Sequence, residues 1–249
     1  MSALTVLYAL LFYAAAAILV GGVAYKSWVY ARTPQPLKIP IPPAPTTRRG
    51  VVLRMLVEVT LFRSLYRSNK WIWLFGWIFH VALLAALLRH LRYFTEPVWA
   101  WVALIQPAGL YAGFVMLAGL AGLWARRFLV DRVRYISSPS DHLMLALIAA
   151  IAASGLAMKY VVRTDIVALK AFFLGLMVLD WQPLPADPVL LVHLALVATL
   201  MIVFPMSKLL HAPGVFFSPT RNQADDPREH RHVAGWTARI DNAGTGVRR

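Results

Sequence analysis

Residues 71 to 93 read WIWLFGWIFHVALLAALLRHLRY. No charge interrupts the run before Arg89, and a helix needs about 20 such residues to cross a hydrocarbon core. Yet it contains two histidines, His80 and His90, and ionisable groups at such depth are costly enough to demand a function. The rest of the chain has the same character. Of its 249 residues 59% are apolar and 14% charged, and the mean hydropathy is +0.62, which excludes an ordinary soluble domain. Four more runs are long enough to span: 3 to 25, 101 to 125, 142 to 162 and 188 to 210. A sixth, 166 to 181, is short, carries Lys170 and Asp180, and reads as a helix lying in the interface.

The expected fold is an all-α integral membrane protein, a five-transmembrane-helix bundle. Segment 26 to 70 holds nine Lys and Arg, loop 126 to 141 four and the tail from Ser207 seven, while the alternate side (Arg89, Arg92, Lys159, Arg163, Lys170) holds five. Twenty against five predicts the N-terminus outside and the C-terminus cytoplasmic. A spanning sixth segment would leave the basic tail outside, so five crossings are preferred. The first run lacks a positive segment before it and reads as an uncleaved helix. Six prolines between Pro34 and Pro45 predict a stiff, extended stretch. Beyond them Val52, Met55, Val59, Phe62 and Tyr66 recur at helical spacing opposite Arg54, Glu58, Arg63 and Arg67, an amphipathic cytoplasmic helix. The membrane domain is expected over 1 to 215 and a polar tail over 216 to 249.

The formal charge of +14 comes from bases clustered between apolar runs, which argues against nucleic-acid binding. Cysteine is absent, so disulfides, cysteine-bound iron–sulfur clusters and thioether-linked heme are excluded. A redox cofactor in this chain would rest on histidine or methionine.

His193 and His211 fall in or at the end of the fifth run. On antiparallel helices, His80 comes level with His211 and His90 with His193, giving two pairs facing a shared interior. Two neutral imidazoles across a gap are what axial ligation of heme iron requires, so two b-type hemes are expected. One tension remains: at about 1.5 Å per residue the first two histidines are roughly 15 Å apart along their helix and the last two roughly 27 Å, and Pro205 is the candidate bend. His142 is read as interfacial, and His230 and His232 as tail residues. Gly109, Gly113, Gly119 and Gly122 are read as close-packing positions, and Trp71, Trp73, Trp77, Trp99 and Trp101 as an aromatic belt.

The ten- and eighteen-residue histidine spacings, with Phe79-His80, Arg89-His90 and the run from Phe204 to His211, resemble the gamma-subunit family of respiratory nitrate reductase. That family's pattern implies a five-helix diheme cytochrome b in a bacterial inner (cytoplasmic) membrane. It also implies that His80 with His211 hold the cytoplasm-side heme iron and His90 with His193 the outer one. The stretch from Arg89 to Phe94, Glu96-Pro97-Val98, the run from Phe216 to Asn222, and Arg231-His232 before Trp236 are similar to the DsrM branch, found in complexes associated with dissimilatory sulfite reductase. The resemblance implies an electron-transfer subunit of a quinol/quinone oxidoreductase complex in sulfur metabolism. Its implied partners are a cytoplasmic iron–sulfur subunit resembling the catalytic subunit of heterodisulfide reductase, a triheme cytochrome c, a periplasmic iron–sulfur protein and a second membrane subunit. The nitrate reductase lysine associated with quinol has no counterpart, since no lysine occurs from 71 to 158. An outer-side quinone site is therefore expected near His90 from among Arg89, Arg92, Tyr93, Lys159 and Arg163. The alternatives are a nitrate reductase gamma subunit and a heme-free membrane anchor.

Overall fold

The computed structural model describes residues 2–226 apart from Pro36 and Lys38; the tail from Pro227, with His230 and His232, lies outside the described residues. Eleven α-helical segments are present among them: α1 (Ala3–Arg32), α2 (Arg48–Leu61), α3 (Arg63–Ser68), α4 (Lys70–His90), α5 (Ala100–Leu129), α6 (Asp131–Ile136), α7 (Pro139–Ala157), α8 (Ile166–Met177), α9 (Pro188–Val203), α10 (His211–Gly214) and α11 (Pro219–Asn222). Five helices are long and apolar enough to cross a membrane: Ala3–Arg32, Lys70–Tyr93, Ala100–Leu129, Pro139–Val162 and Pro188–Met206. They are the five expected from the sequence. The chain is a multi-pass membrane protein.

The spanning helices pack in series, α4 on α5, α5 on α7, α7 on α9 and α9 on α1. In this series α5 and α7 link the helices that carry His80 and His193. One core cluster joins Phe79 and Ala82 of α4 to Met116 and Leu120 of α5 and Ile148 and Ala152 of α7. A second seats α8 between α1 and α9. With twelve residues α8 is too short to cross. Asp165 caps its start by accepting from the Val167 and Ala168 amides at 3.0 and 3.1 Å. Its Phe172 is fully buried and its Phe173 meets Phe12 edge to face at 5.3 Å, so α8 closes one end of the bundle instead of lying loosely on it.

Three expectations need correcting. The fifth run does not continue as one helix to residue 210: α9 stops at Val203, because Pro205 supplies no amide and its ring clashes with the preceding turn. Two 3-10 turns follow, Phe204–Met206 and Lys208–Leu210, on either side of an extended Ser207 (φ −109°, ψ 172°). The helix α1 lies against this break at Gly22, where any Cβ would come within 2.5 Å of the Pro205 ring.

The amphipathic segment is the second correction. It is broken at Phe62, which adopts a left-handed conformation (φ 49°, ψ 44°), and its inward face carries Val51, Met55 and Glu58 while Val52 and Val59 point outward. Tertiary contacts decide that face: Glu58 accepts from Ser64 and pairs with Arg221 at 3.2 Å.

Third, residues 216 to 226 are not a loose tail. The Ile41 amide donates to Thr220 O at 3.0 Å and the Asp225 amide to Pro45 O at 2.8 Å, strapping this segment to the proline-rich stretch.

Candidate functional site: two histidine pairs

At the end of the bundle that carries α2 and α3, His80 and His211 come together with ring centroids 6.0 Å apart and planes at 86°. The break after α9 makes this possible, since His211 sits at the start of α10, directly after the Lys208–Leu210 turn. Phe79 and Phe62 each approach the His80 ring edge to face at 5.0 Å. At the α8 end, His193 is only 7% exposed, and His90 lies within electrostatic range of it. The Tyr93 ring is 5.9 Å from His90.

The hydrogen bonds fix which ring nitrogen carries the proton. Nδ1 of His80 meets Gly76 O at 2.7 Å, Nδ1 of His90 meets Ala86 O at 2.6 Å and Nδ1 of His211 meets Lys208 O at 2.9 Å. A carbonyl only accepts, so each Nδ1 is the donor. Nδ1 of His193 lies 2.9 Å from Ser154 Oγ, and that hydroxyl's single proton is directed to Ala150 O at 2.7 Å, with Ile151 O at 3.0 Å, so it accepts from the imidazole. In its neutral form each of the four rings thus keeps an unprotonated Nε2. Among the described residues none of these Nε2 atoms makes a hydrogen bond. His142 differs: its Nδ1 accepts from Trp124 Nε1 at 3.0 Å, which puts its proton on Nε2. Donating Nδ1–H to a carbonyl or hydroxyl while presenting Nε2 is the usual arrangement of metal-ligating histidine. No group of three or more His, Asp or Glu positioned for a metal ion occurs among the described residues, so these are pairs and not parts of a larger cluster.

The charged residues singled out near His90 divide. Arg89 lays its stem over Gly109 and donates to Gly109 O at 3.1 Å, and Arg92 places its guanidinium 5.8 Å from the centre of the Tyr93 ring. These three residues gather beside His90. Lys159 and Arg163 are exposed on the turn after α7, and their side chains make no hydrogen bond or ion pair among the described residues. Lys170 is paired with Glu96, tying α8 to the loop before α5.

The nitrate reductase gamma subunit family matches residues 61–225, a span that contains all four histidines. The chain belongs to this family. It is also 36% identical over 269 residues to the Hdr-like menaquinol oxidoreductase cytochrome b-like subunit of Archaeoglobus fulgidus, covering 90% of this chain and 81% of the relative. The protein of the same name from Archaeoglobus profundus is 36% identical over 283 residues, covering 94% and 83%.

Sequence reasoning missed several residues at these sites in this family member. Ser154 orients His193, and Tyr160 donates to Leu110 O at 3.2 Å near Arg89. Phe62 turns its ring onto His80 through the left-handed kink. A lone serine in an apolar run gives no signal of its partner. Positive φ at a bulky residue is likewise invisible before folding, but it marks a position that its surroundings over-determine.

Proposed function

We propose that the chain is a diheme b-type cytochrome, the membrane subunit through which electrons pass between a quinone pool and a cytoplasmic iron–sulfur partner. One observation carries the reading: His80 and His211 meet across the break after α9, and in all four histidines Nδ1 is committed as a donor while Nε2 makes no hydrogen bond among the described residues. The donor set fits axial ligation of heme by two histidines. The 6.0 Å between the His80 and His211 ring centroids accommodates one metal atom bonded to a nitrogen of each, at about 2 Å per bond. A cavity of about 710 Å³ opens beside His211, walled in part by Tyr30, Gln35, Lys208 and Phe217, though His80 does not line it.

In this reading His80 and His211 hold one heme and His90 and His193 the other. Bound there, the hemes supply one-electron carriage through an apolar interior. The chain's own residues set the conditions. Gly76, Ala86 and Lys208 carbonyls and the Ser154 hydroxyl hold the rings in the ligating tautomer, and Phe62 and Phe79 keep water off His80. The distribution of bases supports placing the His80 end on the cytoplasmic side of the cytoplasmic membrane. A quinone site near His90 would use Arg89, Arg92 and Tyr93; the Tyr93 hydroxyl makes no hydrogen bond among the described residues and is the available donor, with Lys159 and Arg163 exposed on the turn after α7.

The relatives' names support menaquinol as the quinol and an Hdr-like subunit as the partner. The DsrM-like wording of residues 216–222 supports a place in sulfur metabolism. A triheme cytochrome c, a periplasmic iron–sulfur protein and a second membrane subunit then complete the complex.

The test is heme per polypeptide in the purified protein by pyridine hemochrome, with electron paramagnetic resonance of the oxidised form. Two b hemes are expected, and the 86° between the His80 and His211 rings predicts a strongly anisotropic low-spin ferric signal from that site. A colourless protein after expression with ample heme overturns the reading and leaves a membrane anchor. In Ser154→Ala the partner that fixes the His193 tautomer is gone. Heme retention at the His90–His193 site should then weaken about 10- to 100-fold, with the other site unaffected, as a wash series followed by absorbance will show.

A further inference from the structure

His211 has an unusual support. The other three histidines belong to spanning helices, but α9 ends eight residues earlier and only short turns connect it to His211. What holds this ring is Lys208, whose carbonyl accepts the His211 Nδ1–H at 2.9 Å. The Lys208 ammonium in turn reaches both oxygens of Asp141, 2.7 Å to Oδ1 and 2.9 Å to Oδ2.

Asp141 is 7% exposed, in the first turn of α7. Its Oδ2 also accepts from the Ser138 amide at 3.0 Å and the Ser138 hydroxyl at 3.1 Å, completing a capping box, while Arg127 from the end of α5 lies 3.5 Å away. Capping alone explains an acid at this position and is satisfied just as well at a solvated helix start. It does not explain a buried carboxylate that takes two further cations from two other elements. The carboxylate is the buried member of the Lys208 pair, the lysine side chain being 73% exposed, so it is the convergence of these contacts on one group that ties the elements together.

We propose that Asp141 is a positioning residue for His211, acting through Lys208: the carboxylate pins the Lys208 turn to the packed start of α7, and the Lys208 carbonyl then sets the orientation and tautomer of the imidazole. This rests on the reading of His80 and His211 as heme ligands. Asp141 never touches the cofactor. It substitutes for the spanning helix that Pro205 interrupts, transferring the rigidity of α5 and α7 to a ligand that would otherwise sit on a string of short turns.

The experiment compares Asp141→Asn, Lys208→Met and their double variant in the purified complex, reading midpoint potentials and the low-spin signals of both hemes. Asp141→Asn and Lys208→Met should each shift the signal and potential of the His80–His211 heme and weaken its retention at least tenfold, leaving the His90–His193 heme unchanged. The double variant should do no more than either single one, and Lys208→Arg should restore much of the native signal. Ser138→Ala removes the hydroxyl half of the cap while leaving the Asp141–Lys208 contact in place, and serves as the control for a merely structural role. Unchanged signals in Asp141→Asn, or the same shift in Ser138→Ala, overturn the proposal. A wild-type protein without heme instead overturns the diheme reading on which it rests.

Discussion

Alanine at His80 or at His211 is expected to lower the heme content from two per chain to one, and alanine at His90 or at His193 to remove the other. Within a pair the two substitutions should abolish the same spectral component and the same step in a redox titration, because each pair is one site. The expectation follows from the open Nε2 atoms and from the 6.0 Å approach of His80 to His211. Truncating either ring removes one of the two nitrogen donors that would hold the group at that site. His142→Ala should leave both components intact, since its Nδ1 is engaged as the acceptor of Trp124 and its proton faces the other way. If His80→Ala and His90→Ala delete the same component, the pairing is wrong.

Gly119→Leu should remove both hemes at once, and with them most of the folded protein. A Cβ at this position would sit 3.0 Å from the Phe75 carbonyl oxygen, the Phe79 amide nitrogen and the Phe79 Cβ, and two of those three atoms are backbone that cannot rotate aside. The substitution pushes α4 off α5, and α4 carries His80 and His90. Overpacking of this sort typically costs about 1–3 kcal/mol, and more when backbone must move. Small residues let helices approach closely where lipid provides no hydrophobic drive, so little can compensate. At Gly21, where nothing lies within 4 Å of an added Cβ, alanine is expected to be silent or mildly stabilising. Yield of detergent-extracted monodisperse protein and heme absorbance per milligram distinguish the two.

The five apolar runs are legible because lipid imposes length and hydropathy on anything that crosses it, and Trp71 to Tyr93 could be read in no other way. The side chains that set histidine geometry follow different rules. The juxtaposition of His80 with His211 was expected from their matched levels, with Pro205 as the candidate bend for the unequal spacing of the two histidine pairs. The structure places the two rings together through the break at Pro205, which shortens the path. Periodicity alone cannot tell whether the stripe on α2 meets lipid, water or protein, and here Arg221 draws Glu58 inward. Ser154 was unreadable: its contact with His193 spans 39 positions, and a serine in an apolar helix by default bonds its own backbone. Asp141 leaves a trace only as an acid at the head of an apolar run, which a helix cap alone would account for.

The ten residues between His80 and His90 have an electrical meaning. Along α4 they correspond to about 15 Å, half of a hydrocarbon core about 30 Å thick. An electron moving between the two sites of the proposed cytochrome therefore traverses about half of the transmembrane field. At 100 mV that amounts to about 1.2 kcal/mol, or roughly a sevenfold change in the ratio of electron occupancy between them. The spacing of two histidines on one helix would thus make the protein a voltage-dependent resistor between its two redox partners, with the energised state of the membrane setting how far the electron distribution leans toward either face.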